Sequence, residues 1–133
     1  MKALLLLGEL GYRFRQSEVI PAIDYCNRMA SEDRIIEISK DGNHYAILFY
    51  SMTDDIKPFL EKGTWDFREH NPQATIIYVE KLVARRWTKE LRRDFEAMIT
   101  AKYPQIEQAI WHRWGTTSDR QVIYNRRIQN VRN

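Results

Sequence analysis

The clearest structural signal in the sequence is Thr75-Ile76-Ile77-Tyr78-Val79-Glu80-Lys81-Leu82-Val83, a run rich in β-branched and aromatic residues. It begins almost fully apolar, which is typical of a strand covered on both faces. Thr88 is a good N-cap for a helix that runs to about Lys102, where Tyr103-Pro104 stops it. A further strand is predicted over residues 106–114. A strand, a helix and a strand in this order predict a parallel pair joined by a right-handed connection.

The helix over residues 88–102 is predicted to be amphipathic. Its apolar residues recur at three- and four-residue spacing and form one stripe: Leu91, Phe95, Met98 and Ile99. Its charged residues are expected to face water: Lys89, Arg92, Arg93 and Glu96. The stripe indicates that this helix packs against the sheet.

Before this unit, the sequence predicts a helix over residues 17–31, with Ser17 as its N-cap. Two runs rich in β-branched and aromatic residues follow, over 34–39 and 44–51, on either side of Lys40-Asp41-Gly42-Asn43. Asp-Gly between two such runs is a strong signal for a β-hairpin.

Shorter elements complete the prediction. A short helix is expected over residues 53–61, and an irregular loop over 65–73. A turn over 115–119 leads into a last strand over 121–126. Residues 3–7 are predicted to form either a buried strand or a helical turn.

Length and composition bound the class of protein. The chain has 133 residues, of which 44% are apolar and 29% charged, which fits one globular domain over residues 1–133 and excludes disordered and fibrous proteins. The predicted elements mix helices with parallel and antiparallel strands. The predicted fold class is therefore α/β, with a mixed sheet, a central parallel strand–helix–strand unit and a C-terminal hairpin.

Charge is distributed unevenly along the chain. Residues 1–66 contain 8 basic and 11 acidic side chains, whereas residues 67–133 contain 13 basic and 7 acidic ones. The second half is therefore strongly basic. Such an excess usually indicates an anionic partner: nucleic acid, a phosphorylated cofactor or an acidic protein surface.

The sequence argues against several kinds of site and location. Cys26 is the only cysteine, so an intrachain disulfide and the paired-cysteine zinc spacings cannot occur. The 3 histidines stand far apart, so we expect no metal site. The apolar run Ala3–Leu7 is too short for an export signal, and no stretch approaches the roughly 20 apolar residues that cross a bilayer. We therefore expect a cytoplasmic protein without a membrane partner.

Three segments of the second half carry a family resemblance: Arg86-Trp87-Thr88-Lys89-Glu90-Leu91, Ile110-Trp111-His112-Arg113-Trp114 and Asp119-Arg120-Gln121-Val122-Ile123-Tyr124-Asn125-Arg126-Arg127. They are similar to the opening of the helix, the Trp-rich strand and the end of small GNAT-like proteins that bacteriophages encode. With the order of elements, they resemble the GNAT superfamily of acetyl-CoA-dependent N-acetyltransferases. The resemblance implies a GNAT-like domain over residues 1–133 that moves an acyl group from acetyl-CoA or another acyl-CoA to an amine acceptor. A phage protein of this kind would act in the host cytoplasm or in the virion.

The resemblance also implies where acyl-CoA binds. In this family the helix after the central strand presents free N–H groups to the pyrophosphate. The cofactor-binding residues are then expected between that strand and the helix: Arg85, Arg86, Trp87, Thr88 and Lys89. Arg85 or Arg86 matches the basic position of the family. Cations at a helix N-terminus oppose the macrodipole, which favours a bound anion there; the alternative is a solvated basic helix face.

Three residues are candidates for proton transfer. Glu80, on the same side of its strand as Tyr78 and Leu82, could accept a proton from the amine directly or through water. The alternative is a carboxylate paired with a neighbouring arginine. The resemblance implies that Tyr124 protonates the leaving thiolate and that His112 serves as a base. The alternative for both is an aromatic residue at the edge of the core with a hydrogen bond.

A second function follows from the last predicted strands. Aromatic and basic residues interleave there: Trp111, Arg113, Trp114, Arg120, Tyr124, Arg126 and Arg127. Aromatic faces for bases beside guanidinium groups for phosphates are what single-strand binding requires, although the same alternation arises when one sheet face is core and the other is wet. The alternative prediction is a non-catalytic module, for instance a virion component or a host-takeover factor, that engages nucleic acid or an acidic protein. The sequence gives no preference for an oligomeric state.

Overall fold

The computed structural model describes residues 2–41, 43–61, 63–114 and 121–127, with the backbone alone at 43, 44, 111–114 and 121–127. The helices are α1 (Lys2–Glu9), α2 (Val19–Ser31), α3 (Lys57–Leu60) and α4 (Lys89–Lys102), and a 3₁₀ turn, Gln16–Glu18, precedes α2. The strands are β1 (Ile35–Lys40), β2 (Asn43–Thr53), β3 (Ile76–Ala84), β4 (Gln108–Trp114) and β5 (Gln121–Arg127).

The strands form one sheet in the order β1-β2-β3-β4-β5. β3 and β4 are parallel and are joined through α4, whereas the other neighbouring strands are antiparallel. The predicted mixed α/β class is therefore confirmed. No helix among the described residues is both long enough and apolar enough to cross a membrane.

The sheet separates two apolar cores. On one face, side chains of β2 such as Leu48 and Met52 pack with Phe95 and Ile99 of α4; we call this the α4-side core. On the other face, Ile47 and Phe49 pack with α1 and α2, in the α2-side core. β2 is thus covered on both faces, which explains why its central residues are almost continuously apolar.

The helices decide one prediction that was left open and correct another. Residues 3–7 lie in α1, where Ala3, Leu6 and Leu7 are buried at helical spacing, so the helical alternative is the correct one. Met98 is 45% exposed, and its predicted place in the apolar stripe of α4 is wrong. The buried stripe is centred on Phe95 and is narrower than the sequence spacing suggests.

A β-bulge interrupts the pairing of β2 with β3. Phe49 is opposite Lys81, whereas the next residue, Tyr50, is opposite Val79, so Glu80 is an extra residue in β3. The bulge breaks the two-residue alternation. Tyr78 packs against Phe59 in a small cluster, whereas Leu82 packs against the α4-side core. The prediction that Tyr78, Glu80 and Leu82 share one side of the strand is therefore wrong.

β3 and β4 part directly beside this bulge. Their parallel pairing runs from Ile76 opposite Gln108 to Val79 opposite Trp111. Both strands continue, β3 to Ala84 and β4 to Trp114. Between residues 80–84 and 112–114 no ladder pairing joins the two strands, so the sheet opens at the end where α4 begins.

Candidate functional site

A buried ion pair occupies the bulge. The side chains of Arg34 and Glu80 are 0% and 1% exposed, and Arg34 Nη2 lies 3.1 Å from Glu80 Oε2. The hydroxyl of Tyr25 donates a hydrogen bond to Glu80 Oε1 over 3.0 Å. Ser51 Oγ contacts both the guanidinium and Glu80 Oε2. Both carboxylate oxygens are thus hydrogen-bonded, as a buried charge requires.

The end of α2 places Arg34 at this position. Asp33 has a left-handed backbone with φ 54°, and its N–H donates to Ala30 O over 3.1 Å. The N–H of Arg34 donates to Met29 O over 2.9 Å. These two bonds form a Schellman motif, which ends the helix and turns the chain sharply. Because of this turn, the side chain of Arg34 lies inside the protein against the sheet rather than in solvent.

The guanidinium of Arg34 joins several elements at once. Its Nε donates to the carbonyl of Tyr50 over 3.1 Å, and its Nη1 donates to Glu32 over 3.3 Å. Its central carbon lies 4.8 Å from the centroid of the Phe67 ring. The planar guanidinium places five donors on three nitrogens in a fixed fork, whereas a lysine offers three donors on one nitrogen.

Tyr25 is held in its protonated form. Burial raises its pKa well above the usual value, and the negative charge of Glu80 and the hydrogen bond to it act in the same direction. Tyr25 is therefore a hydrogen-bond donor at any ordinary pH. It keeps Glu80 Oε1 satisfied on the side that faces the α2-side core.

His70 lies at the border of the cluster. Its Nδ1 accepts a hydrogen bond from the backbone N–H of Met52 over 3.3 Å, and its Nε2 lies 3.9 Å from Glu32 Oε1. Burial lowers the pKa of His70 below its ordinary 6.5, and the positive charge of Arg34 lowers it further. The neutral imidazole is the form that can accept the Met52 N–H at Nδ1.

This environment predicts a pH dependence of stability. The unfolded chain binds more protons at His70 than the folded chain once the pH falls below about 6.5. The free energy of unfolding should therefore decrease as the pH is lowered from about 7.5 to about 5.5, and His70→Gln should reduce that decrease. Urea unfolding of both proteins at the two pH values measures it. An equal decrease in both would contradict the assignment.

The predicted cofactor-binding residues lie together after β3, at the open end of the sheet. Arg85, Arg86 and Lys89 are exposed. Thr88 is the N-cap of α4, and its hydroxyl accepts a hydrogen bond from the N–H of Leu91 over 3.2 Å. Trp87 is half-buried and packs against the α4-side core. Three exposed cationic side chains therefore stand at or just before the start of a 14-residue helix, whose first turn also contains Glu90.

The predicted proton-transfer residues are only partly brought together. Glu80 is the first residue of β3 after the last β3–β4 pair, and His112 is the first residue of β4 after it, so their backbones flank the opening. Tyr124 lies on β5 opposite Trp111, and His112 is opposite Ile123. The side chains of His112 and Tyr124, like those of the final hairpin, lie outside the described residues.

Three members of the buried cluster carry little signal in the sequence. Arg34 adjoins the apolar start of β1, Ser51 stands between two large apolar residues of β2, and Tyr25 lies on the inner face of α2. The available signal was a polar residue at a position whose neighbours predict burial. Such a residue has to find a hydrogen-bond partner inside the protein.

The described residues provide neither a metal site nor a reactive thiol. Among the described residues, no group of three or more His, Cys, Asp or Glu side chains is placed to hold a metal ion. Cys26 is buried, and burial raises the pKa of its thiol to about 11, which makes it a poor nucleophile. Comparison with known proteins adds no relative: neither a protein-family model nor a curated protein matches this chain.

Proposed function

We propose that this protein binds acyl-CoA in the opening between β3 and β4 and is an acyltransferase of the GNAT type that acts on an amine. The observation that carries the proposal is the parting of two parallel strands after Val79 and Trp111, beside a bulge in the strand that leads into α4. Each of these features supplies a different part of a site for a long, phosphorylated thioester.

The parted strands suit the pantetheine arm of the cofactor. Residues 81–84 of β3 pair with β2 along one edge, whereas the ladder with β4 along the other edge ends at Val79. Backbone N–H and C=O groups along such an edge can pair with an added strand. An extended ligand that carries amide groups can satisfy them as an added strand would. Pantetheine contains two amides in an extended chain, and it fits this description.

The start of α4 suits the phosphates. The N–H groups of a first helical turn and the helix dipole favour an anion. Arg85, Arg86 and Lys89 are exposed around it and can form charge-assisted hydrogen bonds with phosphate oxygens. Because the cations would otherwise oppose the dipole, a bound pyrophosphate gives their placement a physical reason.

The chemistry of the proposed reaction is a direct acyl transfer. The amine nitrogen attacks the thioester carbonyl, the C–N bond forms, the C–S bond breaks, the amine loses a proton and the thiolate gains one. His112 and Tyr124 remain the proposed base and acid. The buried pair with Arg34 favours a role for Glu80 in shaping the bulge, and its action as a proton acceptor stays a prediction.

Calorimetric titration with acetyl-CoA tests the proposal. The double variant Arg85→Ala/Arg86→Ala should weaken binding at least about tenfold, because each lost charge-assisted hydrogen bond is worth roughly 1.5–3 kcal/mol. Arg13→Ala/Lys57→Ala is the matched control, since it removes the same charge from two exposed positions elsewhere. Absence of binding to the unaltered protein at millimolar acetyl-CoA would refute the proposal.

One observation favours the non-catalytic alternative. The segment 83–89 contains no glycine, the residue that allows a ligand to approach the backbone closely, and its Trp87 packs against the α4-side core. The exposed cations of this segment also suit a polymer of phosphates. Titration with a single-stranded oligonucleotide at about 50 mM and about 200 mM salt separates the two functions. Strong salt-dependent affinity together with no response to acetyl-CoA would favour the binding module.

A further inference from the structure

Arg34 is the point at which three parts of the fold meet at the bulge. It contacts Glu32 at the end of α2, the carbonyl of Tyr50 and the hydroxyl of Ser51 in β2, and Glu80 in β3. Its side chain is completely buried. A buried guanidinium with this set of acceptors is costly unless all of them are in place.

We propose that Arg34 is a positioning residue for the acyl-CoA site, because it holds Glu80 in the bulge and the bulge determines where β3 and β4 part. The inference rests on the proposed function. Arg34 does not need to touch the cofactor, since it acts through the backbone conformation of β3. The structure contains the required link: Glu80 is both the bulged residue and the ionic partner of Arg34.

The register of β3 explains why the bulge needs an anchor. The extra residue leaves β3 in one register with β2 up to Val79 and in another from Lys81 onward. Removing the bulge would shift the second half of β3 by one residue and exchange its two faces. Without the guanidinium of Arg34, the buried charge of Glu80 would be less well compensated, and the regular pairing would become competitive.

The register of β3 from Lys81 onward determines which face of the sheet each of its side chains occupies. Lys81 lies on the α2 side, with its Nζ 4.0 Å from the centroid of the Trp65 ring, and Val83 packs in the α2-side core. Leu82 and Ala84 pack against the α4-side core. A one-residue shift of β3 beyond the bulge would bury Lys81 among the apolar residues of the opposite face. The anchored bulge therefore fixes both the strand edge that the ligand is proposed to meet and the direction from which β3 enters the segment 85–88.

The test compares Arg34→Lys and Glu80→Gln with two matched controls. Arg34→Lys keeps the charge but loses the planar fork, and Glu80→Gln keeps the shape but loses the charge. Arg13→Lys and Asp24→Asn make the same chemical changes at exposed positions away from the bulge. Amide hydrogen exchange over residues 79–84 and acetyl-CoA affinity are measured at a temperature where all proteins are folded.

The two readouts have separate expected results. Exchange over residues 79–84 should accelerate at least about tenfold in Arg34→Lys and Glu80→Gln, with β1 and the first half of β2 unchanged, and affinity should fall at least about tenfold. Faster exchange throughout the sheet, or local acceleration with unaltered affinity, would overturn the positioning role. If the unaltered protein binds no acetyl-CoA, the proposed function fails, and the exchange data still decide whether Arg34 holds the bulge.

Discussion

Replacing Arg34 by methionine is expected to reduce the free energy of unfolding by about 3–5 kcal/mol, the cost of breaking a buried ion pair by removing one member. Glu80, with its side chain 1% exposed, would lose the cation that compensates its burial. Tyr50 O and Ser51 would lose a donor in the same step. Urea unfolding followed by circular dichroism measures the change.

Two further variants identify the cause of this loss. The double variant Arg34→Met/Glu80→Met should be more stable than Arg34→Met alone, because an apolar pair leaves no buried charge. Lys102→Met breaks the exposed pair with Asp33, whose atoms lie 2.6 Å apart, and should cost no more than about 1 kcal/mol. Equal losses for Arg34→Met and Lys102→Met would show that burial of the pair contributes nothing.

Replacing Phe95 by alanine is expected to have a similar cost, about 3–5 kcal/mol, because it removes a large ring from a packed interior. Phe95 is 2% exposed and lies in the α4-side core. Met98 is on the same helix but is 45% exposed, so Met98→Ala is a matched control with an expected cost below about 1 kcal/mol. The ring also holds α4 against the sheet, and we expect its loss to loosen the start of the helix.

Urea unfolding gives both values, and the ratio between them is the informative quantity. A large loss for Phe95→Ala beside a small loss for Met98→Ala would agree with the observed burial. Comparable losses would mean that α4 presents a wider apolar face than the structure shows, as the three- and four-residue spacing alone suggests.

The β3–α4–β4 unit was predictable because its signals are local. An apolar run, an N-capping threonine and Tyr103-Pro104 each act within a few residues, and together they define a parallel unit. The hairpin of β1 and β2 was predictable for the same reason, since Asp-Gly lies between two strand-forming runs. The two states left open for residues 3–7 were decided by packing, because a short apolar run suits a strand or a helix equally well.

The candidate site depends on contacts that no local pattern reveals. Arg34 and Glu80 are 46 positions apart, and Tyr25 and Glu80 are 55 apart. The bulge is a property of two strands rather than of either one, so the alternation within β3 predicted the wrong faces for Tyr78 and Leu82. In the sequence, Arg34 is an ordinary charged residue at the start of a predicted strand, and only the turn at Asp33 directs it inward.

The order of the strands in the sheet has a consequence for how the chain assembles. Each strand pairs with the strand that precedes or follows it in the chain, so the strands can pair in the order in which they are synthesised. The β1–β2 connection is short and closes at little entropic cost, whereas residues 54–75 and 85–107 make the next two connections long, and long-range pairing forms more slowly. The ion pair of Arg34 with Glu80 is among the contacts that do not follow this order. Arg34 directly precedes β1 and Glu80 lies in β3, and β2 separates these two strands in the sheet. During synthesis, β1 and β2 can therefore pair before β3 has emerged, and Arg34 remains without Glu80 until β3 docks.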